Sequence, residues 1–267
     1  MAELDLDVRR QALLAELVEE TARSLGRIRY GSVLEVGSAR VVLNPDSPLA
    51  SSNFAGTVRG SPGRAAATLR LLPSLWREAG RGTVVLLDSP SCVPELGVIA
   101  EECGYESEEE GAVLVLTEPA ALVEGEPGRT VRPLTEDEEH AVAGLVADAM
   151  GYSGEVELAL CDVFGQRLDD PRVSAWGTVE DGELAGVALG FVDVGIGMVT
   201  DVAVRADRRG RGAGRALVSA AAADCLRRGA TVVHAVVEAG GAPEALWHHL
   251  GFATAYTTVT YVLRIDA

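Results

Sequence analysis

The sequence predicts an α/β protein of the α+β type, a mixed sheet flanked by helices, arranged as two domains in tandem. Three observations predict it. Short apolar runs alternate with stretches of helical periodicity along the chain. A strand, a glycine-rich loop and an Ala/Leu-rich helix follow one another from Val199 to Arg228. The two halves also share landmarks: Thr83-Val84-Val85 with Gly104-Tyr105 echoes Thr231-Val232-Val233 with Gly251-Phe252, at offsets of 148 and 147 residues.

Each element follows from its own pattern. Leu6, Leu13, Leu14, Leu17, Val18 and Ala22 recur at helical spacing over residues 6–25, closed by Gly26. Three short strands are expected at Ser32 to Val36, Ala39 to Leu43 and Asn53 to Val58. Gly60-Ser61-Pro62 opens a second helix that runs through Leu69, Leu72 and Trp76 to Gly80. A buried strand at Thr83 to Leu87, a short helix at Pro94 to Cys103 and a strand at Ala112 to Leu116 complete the first half.

Residues 118–128 break the pattern with two prolines, two glycines and little periodicity, and are expected to be a linker between domains at 1–117 and 129–267. Beyond it come a strand at Thr130 to Leu134 and a helix at Glu136 to Met150, which Thr135 caps with Glu138 three residues on. A helix at Val156 to Phe164 follows, then strands at Ser174 to Glu180 and Leu184 to Val192 around the Asp181-Gly182 turn. After the central strand and its helix, the chain closes with a strand at Thr231 to Val237, a helix at Pro243 to Leu250 and a strand at Thr257 to Leu263.

Composition narrows the function. The apolar share of 48% with 24% charged residues is that of a globular protein, and a net charge of -17 argues against nucleic acid or anionic membrane surfaces as partners. No run approaches eighteen apolar residues and the N-terminus opens acidic, so a cytoplasmic location is expected. Cys92, Cys103, Cys161 and Cys225 lie far apart without a C-x-x-C spacing and read as reduced core thiols, with no metal site.

Against that acidic background, Arg205, Arg208, Arg209, Arg211 and Arg215 place five of the 23 positive charges within eleven residues, around Gly210, Gly212 and Gly214. A strand–glycine loop–helix junction binds anions, because the first helical N–H groups lack partners, sit at the positive end of the helix dipole and are reached without a Cβ in the way. A P-loop requires a lysine, and the chain has none. A dinucleotide fingerprint requires its first glycine tight against the strand end, whereas five residues separate Val204 from Gly210.

The segment resembles the coenzyme A loop of the GNAT acyltransferase superfamily, Arg/Gln-x-x-Gly-x-Gly/Ala after a strand and before a helix, with Arg209, Gly212 and Gly214 in its three defined positions. Leu246-Trp247-His248-His249-Leu250-Gly251-Phe252 resembles the family's terminal Leu-Tyr-x-x-x-Gly-Phe signature. The resemblance implies an N-acetyltransferase that uses acetyl-CoA on a primary amine of a small molecule, by direct transfer in a ternary complex. It assigns the coenzyme to the backbone of Val202, Ala203 and Val204, the loop Arg209, Gly210, Arg211, Gly212, Ala213, Gly214 and Arg215, and Trp247. The first half resembles a degenerate second copy: with Arg59 in the basic position, the required glycines fall on Pro62 and Arg64. A pseudo-dimeric monomer or a homodimer is then expected, with the first half as scaffold.

Acyl transfer needs donors for the carbonyl oxygen, loss of the amine proton, and a stabilised leaving thiolate. An amine with a pKa of about 10.4 stands roughly 3.4 units above neutrality, about 4–5 kcal/mol. Asp201, next to the central strand's apolar run, is the candidate base or water-ordering group, with a salt bridge as its alternative; Glu238 and His234 rank behind it, as a solvated acid and a core histidine. Trp247 stands where the family carries a tyrosine acid and cannot protonate a thiolate, so Tyr256 becomes the candidate substitute, with Tyr152 behind it. Cys225 reads as core. An acyl-CoA sensor without catalysis, a longer acyl group and a protein amine remain open alternatives.

Overall fold

The structure is a computed structural model and describes residues 3–122 and 130–265. Most of the expected linker, residues 123–129, lies outside the described residues; Pro119–Ala121 forms a single 3-10 turn. By internal contacts the chain falls into two units, each drawing on more than one stretch of sequence. One comprises residues 1–2, 114–236 and 242–253; the other comprises 3–113, 237–241 and 254–267.

The first-half unit begins with helix α1, Val8–Gly26, whose N-cap Asp7 accepts from the Arg10 N–H. Strands β1 (Ser32–Val36) and β2 (Ala39–Leu43) form an antiparallel hairpin, and β3 (Phe54–Gly56) continues it. Helix α2 (Pro62–Glu78) carries proline in its first turn, where the missing N–H costs no hydrogen bond. Strand β4 (Thr83–Asp88) runs parallel to β3 through one pair, Ala55 with Leu86. Helix α3 (Leu96–Glu102) and strand β5 (Glu106–Leu116) follow. Strand β5 starts six residues earlier than its apolar stretch, because its first five residues, four glutamates and Ser107, are all exposed and show no burial pattern.

Strand β6 (Val131–Pro133) opens the second-half unit. The Thr135–Glu138 capping box forms as expected, with a 3-10 turn over Glu136–Glu138 leading into helix α4 (Glu139–Met150). Helix α5 (Glu155–Leu168) extends four residues past the expected Phe164. Strands β7 (Val173–Glu180) and β8 (Glu183–Asp193) meet at Asp181 and Gly182, both at positive φ (54° and 84°), as a two-residue hairpin turn requires. Then come β9 (Ile196–Val204), α6 (Ala213–Arg227), β10 (Val232–Glu238), α7 (Ala242–His248) and β11 (Phe252–Arg264).

In the second-half unit the strand order is β10-β9-β8-β7-β6, with β10 parallel to β9 and the rest antiparallel. Helix α6 lies close on this sheet: a Cβ at Gly197 would come within 2.8 Å of Cys225 Cβ, and one at Gly190 within 3.2 Å of Cys225 Sγ. Cys225 is fully buried, and burial pushes its thiol up to about 12, in keeping with a core role. In the first-half unit the order is β1-β2-β3-β4-β11. Here the structure corrects the domain boundary. The sequence assigns residues 129–267 to one domain, but β11 pairs antiparallel with β4 from Val259–Asp88 to Arg264–Thr83, and residues 254–267 belong to the first-half unit. Tyr261 packs there against a core that includes Val41, Leu69, Trp76 and Leu86. Apolar alternation makes a strand but does not name its partner.

Among the described residues no helix is long and apolar enough to cross a membrane, and no group of His, Cys, Asp and Glu is placed to hold a metal ion.

Candidate active site

The site is built from one irregularity in β9. Between Val187–Ala203 and Leu189–Thr200 the β8–β9 register slips, so that β9 holds one residue more than β8 over the same span. The extra residue falls at Asp201, whose φ of 50° is uncommon for a side-chain-bearing residue. On the other edge, β9 pairs with β10 only from Ile196–Val232 to Met198–His234, and beyond that rung no pairing joins them. The two strands are joined at one end and open at the other.

Backbone directions past the bulge follow from one hydrogen bond. Arg205 N–H donates to Ala185 O at 3.0 Å, so Arg205 faces β8, and strand alternation turns the N–H and C=O of Val204, and of Val202, to the opposite edge. The Val204 carbonyl is met there by the Nε of Arg209, which donates at 3.0 Å. Arg209 thereby ties the loop back to the strand end, and Ala203, 4% exposed, points its backbone into the β8 ladder.

The loop then turns twice at positive φ, at Gly210 (74°) and Gly212 (86°), conformations that glycine adopts without strain. Gly212 is the N-cap of α6, no side chain caps it, and the helix starts at Ala213, so its leading N–H groups face the loop. Gly214 sits in the first turn, where an added Cβ would make ordinary contact with Leu246 Cδ2 at 3.6 Å. These features fit an anionic, phosphate-bearing group: bare backbone donors, a helix N-terminus and exposed Arg211 and Arg215 beside it.

The arginine cluster is less concentrated than the sequence implies. Arg205 is paired with Glu183 and Asp207, and Arg208 with Glu180, Asp181 and Asp207. These two clamp the β7–β8 turn to the 3-10 turn Ala206–Arg208, leaving Arg209, Arg211 and Arg215 at the helix start.

Asp201 has a definite partner 34 residues away in the chain. Its Oδ2 accepts from Arg167 NH1 at 2.6 Å, and both side chains are almost wholly buried, 11% and 3% exposed. Arg167 lies in the last turn of α5 with its guanidinium over the Phe164 ring at 5.6 Å. The carboxylate is thus held in a buried ion pair that pins the bulge. His234, on the last rung before the strands part, is fully buried and neither ring nitrogen has a hydrogen-bond partner; burial lowers its pKa to about 4, so it is neutral at pH 7. Glu238 and Tyr152 are exposed.

Trp247 and Tyr256 are both buried. Trp247, 4% exposed, packs edge-to-face on Phe252 with centroids 4.8 Å apart. Tyr256 falls in the first-half unit, and its hydroxyl is buried without a hydrogen-bond partner. Desolvation, then the charges of Glu19 and Cys92, push that hydroxyl well above its ordinary pKa, so it stays protonated near neutrality. It sits four residues past Phe252, and β11 has by then passed from one unit to the other.

An opened, bulged strand running into a glycine loop and a helix N-terminus can take an anionic ligand along the strand edge. Residues 140–252 match the model of the acetyltransferase (GNAT) family. No curated protein matches the sequence. Among solved structures, a GCN5-related N-acetyltransferase from Kribbella flavida is similar over 94% of this chain and 95% of its own, with a TM-score of 0.71 at 19% identity. Another from Sphaerobacter thermophilus covers 100% and 96%, with a TM-score of 0.64 at 20% identity. A tandem GNAT protein from the clavulanic acid biosynthesis pathway covers 97% and 94%, with a TM-score of 0.63 at 18% identity. At these identities the likeness is one of fold, and it runs the length of the chain.

Proposed function

We propose that this protein is an acetyl-CoA-dependent N-acetyltransferase that acetylates a primary amine of a small molecule by direct attack in a ternary complex. One observation carries the reading: the Asp201 bulge and the end of β9–β10 pairing leave the Val204 peptide on an open edge, directly before the glycine loop. An acyl-CoA lying along that edge has its pyrophosphate at Gly210 to Arg215 and its thioester carbonyl within reach of the Val202 and Val204 N–H groups. Those donors stabilise the oxygen as the amine nitrogen attacks the carbonyl carbon, the C–N bond forms, the nitrogen gives up one proton to solvent water, and the C–S bond breaks to release the coenzyme thiolate.

In this reading Asp201 positions the oxyanion donors through its ion pair with Arg167 and does not serve as the base. The acceptor binds as the free amine. Its scarcity at pH 7, about 4–5 kcal/mol for an aliphatic amine, makes the rate climb about tenfold per pH unit toward the amine's own pKa. The leaving thiolate, with a pKa near 8.5, costs about 2 kcal/mol without an acid, so neither Trp247 nor Tyr256 is needed to protonate it.

Release of coenzyme A thiol, measured against a panel of small amines with acetyl-CoA and longer acyl-CoAs, tests the reading. Turnover with at least one amine and acetyl-CoA is expected. Tight acetyl-CoA binding with no turnover on any amine turns the protein into an acyl-CoA-binding module instead. Asp201→Asn separates positioning from base catalysis: a loss of rate equal at every pH fits positioning, and a loss concentrated at low pH restores Asp201 as the base.

A further inference from the structure

The first-half unit repeats the same backbone frame with different filling. Strand β3 ends at Gly56, Thr57 takes φ 49° as Asp201 takes 50°, and a short loop leads to α2, which β4 follows in parallel with β3. The space between the parting strands is occupied. Glu19 of α1 accepts from Thr57 Oγ1 at 2.6 Å beyond β3, and from Ser89 Oγ at 2.5 Å and Ser91 Oγ at 2.6 Å beyond β4. Its Oε2 leaves no room for a Cβ at Gly56, and Arg23, fully buried, bonds both Glu19 and Thr57. An acyl arm has no passage there.

The mouth of that frame is open. A cavity of about 250 Å³ lies at the start of α2, lined among others by Arg40, Arg59, Arg64, Ser38, Gly60 and Glu35. Arg40 and Arg59 are held in place by ion pairs to Glu20 and Glu16 of α1. Arg40 also pairs with Glu35, Nε to Oε1 at 3.5 Å, and Arg64 makes no ion pair among the described residues. Partly exposed ion pairs are worth at most about 1 kcal/mol, so a dianion bonding three guanidinium groups displaces water and competes well with them. Gly60, at φ 97°, brings its backbone to the cavity without a side chain, and the leading N–H groups of α2 add to the positive field. The volume falls below the usual 300–1,000 Å³ of drug-sized ligand sites, so the occupant is compact.

We infer that the first-half unit binds a small phosphate-bearing molecule, such as a phosphomonoester or pyrophosphate, against Arg40, Arg59 and Arg64, and does not bind coenzyme A. The site is independent of the transfer reaction and stands whether or not the protein turns over an amine.

The test is titration of pyrophosphate and of inorganic phosphate into the full chain carrying Gly212→Asp, which disables the second-half loop, followed by the same titration with Arg64→Glu added. Arg64 is exposed in the first turn of α2, where glutamate suits the helix dipole, so the added substitution leaves the fold intact. Saturable binding that survives Gly212→Asp and weakens at least tenfold with Arg64→Glu is expected. Absence of saturable binding in the Gly212→Asp chain, or binding indifferent to Arg64→Glu, overturns the inference. Acetyl-CoA binding to the Gly212→Asp chain that is lost with Arg64→Glu overturns its exclusion of the coenzyme.

Discussion

Two junctions of the same design, one in each half of the sequence, differ in what occupies them. At the α6 junction the strands part after Met198–His234, a buried Arg167–Asp201 pair pins the bulge from one side, and two glycines at positive φ lead into an uncapped helix. At the α2 junction the strands also part, but Glu19 joins their ends through Thr57, Ser89 and Ser91, and Val93 N–H closes on Val58 O at 2.7 Å. The comparison teaches that two junctions with the same backbone differ by what fills them. A buried acid is held by a buried arginine in both; at the α2 junction it also bridges the parted strand ends, and at the α6 junction it does not.

The largest expected effect breaks the blocked slot. Glu19→Ala leaves Arg23, fully buried, without its main counter-charge, and loss of one partner of a buried pair costs about 3–5 kcal/mol. Chemical denaturation is expected to show a loss of that order, with acetyl-CoA affinity unchanged because the coenzyme loop belongs to the other unit. An affinity change beyond threefold would tie Glu19 to coenzyme binding.

Acid separates the halves next. His234 has a folded pKa of about 4, below the unfolded value of 6.5, so below pH 6.5 the unfolded chain takes up a proton that the folded chain refuses. Stability conferred by this site is therefore whole above pH 6.5 and falls as pH drops toward 4, by up to about 3 kcal/mol. Asp88 in the first-half unit works in the opposite direction: burial raises its pKa to about 6, so protonation between pH 6 and 4 favours the folded form. Subtracting the stability–pH curve of His234→Leu from that of the parent isolates the histidine; a flat difference between pH 6.5 and 4 would show that His234 is protonated in the folded state.

A smaller effect sharpens the open slot. Arg209→Ala removes the Nε bond to Val204 O while leaving both glycines. Acetyl-CoA affinity is expected to fall about tenfold, roughly 1.4 kcal/mol, as measured by calorimetry. A loss no greater than for Arg205→Ala, whose guanidinium is engaged with Glu183 and Asp207, would mean that only net charge matters.

Much of this was legible in the sequence because it was local. The Thr135–Glu138 capping box, the Asp181-Gly182 turn and the start of α6 immediately after Gly212 follow from residue chemistry within a few positions. What escaped was long-range. Nothing near Asp201 names Arg167, 34 residues away at the end of a different element. The alternation in Thr257 to Leu263 does not reveal β4 as partner, and so the sequence assigns the last strand to the wrong unit. Arg205 and Arg208 count toward a cationic cluster in the sequence, yet fold into pairs with acids on the β7–β8 turn and its neighbour. Charge and periodicity fix which elements form, whereas pairing and counter-ions depend on which elements meet.

The most direct measurement is a calorimetric titration of acetyl-CoA into the intact chain and into its Gly212→Asp variant, with folding of both checked by circular dichroism. An aspartate at the head of α6 puts a negative charge where the pyrophosphate must sit and occupies a backbone at φ 86°. The account predicts one site per parent chain and at least a hundredfold weaker binding in the folded variant. Two sites in the parent, or a folded variant that binds as tightly, would contradict it.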